Sequence, residues 1–255
     1  MFQNEPPIWV LPGALGQDVI DEMQSIADKY DEMDGYTAGA ARTRKELALA
    51  FEHRGYPAQD WNNLSSVQEF LENMQIDDDD TRIWQQSMQN SLNNMQSVRR
   101  CKRIPIDLNI ETWLSSMVYH HGNQANMDWG FDLQYTHQAE FLEYGEEGAK
   151  YDWHVDTSIV VTFDNQEGEA FDHAPTMQRK ITLIWQLSDP DDYEGGDLQL
   201  TSSFDGANML EHSKDLLRMK GSIIAFPSFM IHRITPIVSG CRKSMVSWVA
   251  GPSWR

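Results

Sequence analysis

The sequence has few cysteines and no long apolar run. Its 255 residues include only Cys101 and Cys241, so no disulfide framework is implied and a reducing compartment is expected. No segment approaches the roughly 20 consecutive apolar residues that cross a bilayer. The first residues, MFQNEPPIWVLPG, contain neither the basic nor the apolar part of a signal peptide. We therefore expect a cytoplasmic protein that does not bind membranes.

Basic residues are also scarce. Lys and Arg number 20 against 39 Asp and Glu, which gives a formal net charge of −19. Phosphate backbones repel a chain this acidic, so a nucleic acid is not expected as a partner. Apolar residues make up 40% of the chain, enough to form a globular core.

Motifs of two other enzyme classes are missing. The sequence contains no G-x-S-x-G element of a serine hydrolase and no glycine-rich phosphate loop. Cys241 has no evident base to activate it as a nucleophile. Hydrolysis through a nucleophilic side chain and nucleotide chemistry therefore gain no support.

The first 130 residues favour helices. Apolar side chains recur there at helical spacing. Gly55 and Pro57 predict the end of one helix, and Ser66 with Glu69 predicts a capping box at the start of the next. The sets at helical spacing are Ile20, Met23, Ile26 and Ala27; Trp84, Met88, Leu92 and Met95; and Trp113, Leu114, Met117 and Val118.

The acidic run Asp77–Asp80 has two interpretations. It suits the N-terminal end of the following helix, where negative charge is favourable. A calcium loop is the alternative, but the run lacks the alternating ligand spacing and the loop glycine of such a site. We expect a helix end.

From about residue 131 the apolar pattern changes to a period of two. Strand-length segments rich in β-branched and aromatic residues alternate with turn clusters, which predicts an antiparallel sandwich or barrel. No flexible linker separates the halves, so we expect helices packed on a β core within one domain. The segments are QAEFLEY, YDWHVDTSIVVTF, RKITLIWQLS, GGDLQL, GSIIAF and CRKSMVSWVAG.

His154 and Asp156 stand two residues apart in one of these predicted strands. Alternation places them on one face, with Trp153 and Val155 opposite as core or groove wall. A carboxylate and an imidazole on an inward face need a partner. That partner is either a metal or a salt-bridged core pair, and H-x-D alone does not decide.

The end of the chain adds His232, Arg242 and Ser244. On an alternating last strand, Arg242 and Ser244 share a face with Val246 and Trp248, and an inward Arg requires a buried anion such as a carboxylate. Two His and one Asp with open coordination positions are the ligand set of non-heme Fe(II) oxygenases. The combination is far more specific than its parts.

These segments resemble the Fe(II)/2-oxoglutarate dioxygenases of the prolyl 4-hydroxylase superfamily, in particular the bacterial and phage PKHD-type hydroxylases. The resemblance covers about residues 110–255. It implies an α+β fold with a double-stranded β-helix (jelly-roll) core over residues 106–255, and a mainly helical N-terminal part, residues 1–105, packed on it. The segments that carry it are EYGEEGAKYDWHVD, LSDPDDYEGGDLQL, FPSFMIHRITPIVSGCRKSMVSWVAGP and, more loosely, WGFDL.

The resemblance also implies the ligands and the residues that hold them. His154, Asp156 and His232 would bind Fe(II). Arg242 would bind the distal carboxylate of 2-oxoglutarate, with Ser244 and Tyr144 as further cosubstrate contacts. Ascorbate is left open as an additional cofactor. For Tyr144 an ordinary strand aromatic is an equal alternative.

The implied reaction is hydroxylation of a substrate C–H, with release of succinate and CO2. A prolyl or other residue of a peptide or protein is the leading substrate, and a small molecule or free amino acid is the alternative. A nucleic-acid demethylase is disfavoured, because Trp248 stands where related repair enzymes carry a second Arg. A non-catalytic jelly-roll protein and a zinc hydrolase remain as rivals, and the oligomeric state is open.

A few further residues have weaker assignments. Gly195 and Gly196 predict a tight turn with close backbone approach, and Thr182 is a candidate for the cosubstrate pocket. The adjacent pair His120 and His121 diverge on a helix and are not expected to chelate one metal. His137 is expected to be structural, and His173 is expected in a loop.

Overall fold

The computed structural model describes most of the chain. For residues 33–34, 94–97, 137 and 159–160 it describes the backbone alone. The described ranges are 8–30, 33–34, 47–60, 63–157, 159–160, 177–201 and 214–253.

The helices lie mainly in the first half of the chain, as the periodicity predicts. They are α1 (Gln17–Ala27), α2 (47–53), α3 (Leu64–Asn73), α4 (Asp79–Val98), α5 (Thr112–Trp129) and the short α6 (Lys214–Arg218), with a 3-10 turn at Pro190–Asp192. Among the described residues, none of these helices combines the length and apolarity needed to cross a membrane.

The strands dominate the second half. They are β1 (Trp9–Leu11), β2 (Met33–Asp34), β3 (Arg99–Arg100), β4 (Lys102–Ile106), β5 (Tyr135–Tyr144), β6 (Lys150–His154), β7 (Ile159–Val160), β8 (Met177–Gln186), β9 (Tyr193–Gly195), β10 (Leu198–Thr201), β11 (Ile223–Pro227), β12 (Ile231–Ile234), β13 (Ile237–Gly240) and β14 (Arg242–Pro252).

Two antiparallel sheets form the β core. The larger has the order β1-β11-β8-β14-β5-β4-β2, with β7 beside β8, and the smaller has the order β10-β12-β6-β3. Strands β9 and β13, which are distant in the sequence, form a separate two-stranded antiparallel sheet. The mixture of helices and antiparallel sheet confirms the α+β prediction at this level.

Apolar clusters hold the layers together. One lies between the larger sheet and helices α1 and α5, and includes Met23, Leu114 and Met245. A second lies between the two sheets and includes Phe226 and Leu200. A third is confined to α2, α3 and α4. Its buried members are Leu47, Phe51, Leu64, Val67, Leu71, Met88 and Leu92.

Helix α5 packs directly on the central strand β14. A Cβ atom on Gly122 would lie 2.5 Å from Cγ2 of Val249, so glycine is what permits this approach. Leu114 and Val118 on the same helix are fully buried, which confirms their predicted core positions. The close contact fixes α5 against the face of β14 that points away from the smaller sheet.

The helix starts follow capping chemistry, with one correction. The prediction that Ser66 caps its helix is wrong, since the N-cap is Asn63, whose side chain accepts the Ser66 N–H at 3.1 Å. The acidic run does begin a helix. Asp78 caps α4 through the Thr81 N–H, and backbone and side-chain hydrogen bonds from Thr81 lower the pKa of the Asp78 carboxyl.

The N-terminal part contributes strands as well as helices. Strand β1 pairs with β11, and β3 and β4 pair with β6 and β5. The predicted boundary between residues 105 and 106 therefore falls inside β4. Alternation in the sequence is too short in these pieces to distinguish them from loops.

Candidate active site

Three residues with metal-binding side chains meet on the smaller sheet. His154 is the last residue of β6, His232 lies on the neighbouring β12, and these two residues are paired in the register of the strands. Asp156 follows two residues after His154. One ligand atom from each residue lies within 4.8 Å of the others, as metal coordination requires.

Asp156 reaches this point by a route that alternation does not predict. Strand β6 ends at His154, and beyond it the backbone N–H groups of Asp156 and Thr157 both donate to the carbonyl of Ser228, at 2.9 and 3.0 Å. The turn after β11 therefore positions the carboxylate. Val155 is 38% exposed and borders the cavity, so its place in a core is excluded.

Both histidines are oriented by their own chain segments. His154 Nδ1 lies 2.7 Å from the carbonyl of Asp152, and His232 Nδ1 lies 2.9 Å from that of Met230. A carbonyl oxygen only accepts, so each Nδ1 carries the proton and each Nε2 keeps its lone pair. The two Nε2 atoms point to Asp156, each 3.5 Å from one carboxylate oxygen.

The protonation states fit a divalent cation. Burial lowers the pKa of His232 to about 4, with the nearby His154 acting in the same direction. Burial raises the pKa of Asp156, but His232 and His154 outweigh it and hold that pKa well below its usual value. A neutral imidazole and an ionised carboxylate are the forms that bind metal.

Two further side chains hold the Asp156 carboxylate. The Thr182 hydroxyl donates to Oδ2 at 2.9 Å, and the Trp248 indole N–H donates to the same oxygen at 3.0 Å. Thr182 therefore orients Asp156, and it is not among the residues that line the cavity. Alternation placed Trp248 on the inward face but could not predict this contact, because a core residue and a hydrogen-bond donor to Asp156 both require an inward aromatic side chain.

The metal-ligand cluster opens into a cavity of about 560 Å³ between the sheets. Arg242, Ser244, Val246 and Trp248 of β14 all border it, which confirms the predicted alternation on this strand. Met245 points to the other side of the strand, into the apolar cluster between the larger sheet and helices α1 and α5. The cavity wall therefore follows the sheet in rows, with Arg242 at one end and Trp248 nearer the other.

Arg242 is a buried cation without an acidic neighbour. Only 1% of it is exposed, and its guanidinium donates to Ser244 Oγ at 3.1 Å and to Gln186 Oε1 at 3.0 Å. Its Nε makes no hydrogen bond, and no carboxylate pairs with it among the residues that the structure describes. Such a group fits an anionic ligand.

Tyr144 lies beside Arg242. The two residues pair across β5 and β14, and the guanidinium carbon is 5.5 Å from the centre of the phenol ring. Burial raises the pKa of Tyr144 far above its usual value, so its hydroxyl keeps the proton and can donate to an anion. Gln186, which sequence reasoning did not single out, accepts a hydrogen bond from the Arg242 guanidinium and so helps to orient it.

The remaining predicted residues lie elsewhere. His120 and His121 are on α5, and His121 packs against Trp185 in the helix-facing layer. Gly195 is tight as predicted, since a Cβ there would lie 2.2 Å from the Pro236 carbonyl. His173 lies outside the described residues, as does the side chain of His137.

The antiparallel sheets thus place a His-Asp-His set that could hold a metal ion beside a buried arginine, a donor set that fits a non-heme Fe(II) oxygenase. Residues 139–250 match the family described as the 2OG-Fe(II) oxygenase superfamily. The match covers 112 of the 255 residues, less than half of the chain, and it makes this part of the chain similar to that superfamily.

Curated relatives are PKHD-type hydroxylases. One from Teredinibacter turnerae is 30% identical over 102 residues, which cover 40% of this chain and 38% of that protein. One from Xylella fastidiosa strain M23 is 32% identical over 105 residues, covering 41% and 40%. The chain thus spans about two fifths of the length of the curated relatives it matches.

A solved structure shares the fold. It is a prolyl hydroxylase from Trichoplax adhaerens, in complex with a hypoxia inducible factor oxygen degradation domain peptide fragment. It covers 96% of this chain and 84% of its own, at 14% identity and a TM-score of 0.53.

Proposed function

We propose that this protein is an Fe(II)- and 2-oxoglutarate-dependent dioxygenase that hydroxylates a substrate C–H and releases succinate and CO2. One observation carries the proposal: an open His-Asp-His cluster and a buried arginine without an acidic partner face the same cavity. In this proposal the two antiparallel sheets of the core form a double-stranded β-helix (jelly-roll). Residues 106–255 would form the catalytic domain, and residues 1–105 would form a mainly helical N-terminal part packed on it.

Each predicted site residue has a task in this proposal. His154, Asp156 and His232 would hold Fe(II), which leaves the other coordination positions for cosubstrate and O2. Arg242 would pair with the distal carboxylate of 2-oxoglutarate. Ser244 and Tyr144 would add hydroxyl donors at that end. When bound, the iron and its cosubstrate supply the oxidising chemistry, in which one oxygen atom of O2 enters the substrate and the other enters succinate.

Other residues at and around the cavity orient the Asp156 carboxylate and exclude water from the site. Thr182 and Trp248 keep the Asp156 carboxylate in place, and the Ser228 carbonyl fixes the backbone that carries it. Val246 and Ile184 provide an apolar wall between the two ends. Water exclusion by such walls strengthens the charge interactions inside.

The substrate proposal is a peptide or protein side chain, prolyl first. The Trichoplax prolyl hydroxylase, a complex with a peptide fragment, supports it by similarity of fold. A free amino acid or other small molecule is the alternative.

The test is substrate-dependent turnover of 2-oxoglutarate. Protein loaded with Fe(II) is offered peptides and metabolites in air, and succinate and products heavier by one oxygen atom are measured by mass spectrometry. We expect succinate only when Fe(II), 2-oxoglutarate and O2 are all present, and none from His154→Ala. Activity in the absence of 2-oxoglutarate or O2 would indicate a hydrolase. Failure to bind iron and 2-oxoglutarate would indicate a non-catalytic protein.

A further inference from the structure

Strand β6 contains a β-bulge directly before the candidate metal ligand His154. His232 of β12 pairs with His154, and Ile234 of β12 pairs with Tyr151, so two steps along β12 correspond to three steps along β6. The extra residue interrupts the alternation of side chains and brings Tyr151 and His154 to the same face of the sheet. In a regular strand these two side chains would point to opposite faces.

The Tyr151 ring lies flat on the His154 imidazole. The two ring centres are 3.5 Å apart, and the ring planes are within 13° of parallel. The Asp152 carbonyl, 2.7 Å from His154 Nδ1, fixes one atom of the imidazole, but the ring can still turn about that single hydrogen bond. The phenol face prevents this rotation, so Tyr151 limits the directions in which the Nε2 lone pair of His154 can point.

Arg99 covers the other face of the Tyr151 ring. The two residues pair directly across β3 and β6, and the guanidinium carbon lies 4.6 Å from the centre of the phenol ring. Because the imidazole already occupies one face at 3.5 Å, the cation rests on the opposite face. Arg99, Tyr151 and His154 therefore form a three-layer stack, which ends at a candidate metal ligand.

The Arg99 side chain is itself fixed by buried partners. It is only 6% exposed, its guanidinium donates to Glu140 Oε2 at 3.3 Å, and its Nε donates to Cys101 Sγ at 3.3 Å. Glu140 also accepts from Arg103 at 3.0 Å, so one buried carboxylate holds two guanidinium groups. Arg99 cannot turn away from Tyr151 without losing these hydrogen bonds inside the protein.

We propose that Arg99 is a positioning residue for the metal centre: through Tyr151 it holds the His154 imidazole in the orientation that binds the metal. The inference rests on the proposed function, in which His154 is a ligand of Fe(II). It gives a task to a residue of the N-terminal part, outside the matched residues 139–250. Loss of a group that orients a metal ligand weakens metal binding by about 10- to 100-fold.

The charge of Arg99 acts in the opposite direction. A cation near the site repels a metal ion, so removal of the charge alone should tighten metal binding. Arg103 is the matched control, because it carries the same charge, donates to the same Glu140 carboxylate and borders the same cavity. It lies on β4 opposite Leu142, whereas Arg99 lies opposite Tyr151.

The test uses Co(II) as a probe of the whole protein under nitrogen, because its visible absorption reports the coordination geometry. Competition with a chelator of known affinity measures binding. We expect Arg99→Met and Tyr151→Leu each to weaken Co(II) binding at least about tenfold and to change the absorption in the same way. Tyr151→Phe keeps the ring and should lose less than Tyr151→Leu. Arg103→Met should stay within about twofold of the parent and keep its spectrum.

A double variant shows whether Arg99 acts through Tyr151. When Arg99→Met is combined with Tyr151→Leu, the loss of affinity should equal that of Tyr151→Leu alone to within about twofold, whereas independent effects would multiply to about 100-fold or more. Thermal unfolding shows whether each variant folds. If Arg99→Met does not, Arg99→Lys takes its place, since it keeps a cation for Glu140 but not the planar group. It should bind Co(II) at least about threefold more weakly than the parent.

Three results would overturn the proposal. They are unchanged or tighter Co(II) binding in the Arg99 variant, equal losses in the Arg99 and Arg103 variants, or losses that multiply in the double variant. Failure of the parent to bind Co(II), or binding that survives unchanged in His154→Ala, would instead refute the metal site on which the proposed function depends. Binding that requires His154 but is insensitive to Arg99 refutes only this inference.

Discussion

The two faces of β14 are built from alternate residues of one strand, yet they have opposite characters. Met245 and Val249 face the helices in a mainly apolar layer, where Trp185 donates its indole N–H to Ser247 at 3.0 Å. Arg242 and Trp248 face the cavity, where Trp248 donates its indole N–H to the Asp156 carboxylate. Neighbouring residues of β14 therefore have different tasks. Variants on the helix-facing side should change the free energy of unfolding, and variants on the cavity side should change ligand binding.

The largest expected effect is that of Arg242→Met on cosubstrate binding. Loss of one partner of a buried charge pair costs about 2–5 kcal/mol, so affinity for 2-oxoglutarate should fall by roughly 30-fold or more. Without ligand the variant should be no less stable, because an unpaired buried cation is removed. Calorimetric titration and thermal unfolding measure both quantities. Lys243→Met, on the exposed side, should leave 2-oxoglutarate binding unchanged.

Met245→Ala should produce the opposite result. Met245 is fully buried against the helices, and Met→Ala in a core costs about 2–5 kcal/mol of unfolding free energy. Urea unfolding measures this cost. Affinities for iron and 2-oxoglutarate should stay within about twofold of the parent under conditions where the variant is folded. Equal losses of stability and of ligand binding would show that the two faces are not independent.

A pair of tryptophan variants sharpens the comparison. Trp248→Phe removes the hydrogen bond to Asp156 and should weaken metal binding by roughly 10- to 100-fold, as loss of a contact to a metal ligand does. Trp185→Phe removes the equivalent bond to Ser247 and should cost about 1 kcal/mol of stability with no change in metal affinity. Competition with a chelator of known affinity measures the first effect. The same metal affinity in both variants would contradict the prediction.

The smallest effect is expected in the cluster of α2, α3 and α4, which is separate from both faces of β14. Asn63→Ala removes the N-cap of α3 and should lower the unfolding free energy by about 1 kcal/mol, measured in urea. Ser66→Ala should cost less, since the Ser66 side chain only donates to the Asn63 carbonyl. If Ser66→Ala lowered the unfolding free energy more than Asn63→Ala does, Ser66 and not Asn63 would be the cap, as the sequence predicted.

The site could be predicted from sequence more completely than the fold. His154, Asp156, His232 and Arg242 carry uncommon chemistry at fixed spacing, and the structure brings them to one cavity. Thr182 and Trp248 could not be assigned, because their role depends on where the chain turns after β6, and alternation wrongly extends that strand to Asp156. The order of the strands, including the pairing of residues 9–11 with 223–225, depends on long-range contacts that periodicity does not encode.

Strand β1 has a consequence for how the molecule meets its neighbours. Trp9–Leu11 cover the outer edge of β11, a strand whose five residues are all buried. Without that cover, an apolar strand with unpaired N–H and C=O groups would be open to the corresponding edge of another copy. With β1 in place the edge of the largest sheet is a strand of three residues, which offers fewer N–H and C=O groups for pairing with another molecule than the five-residue β11 would.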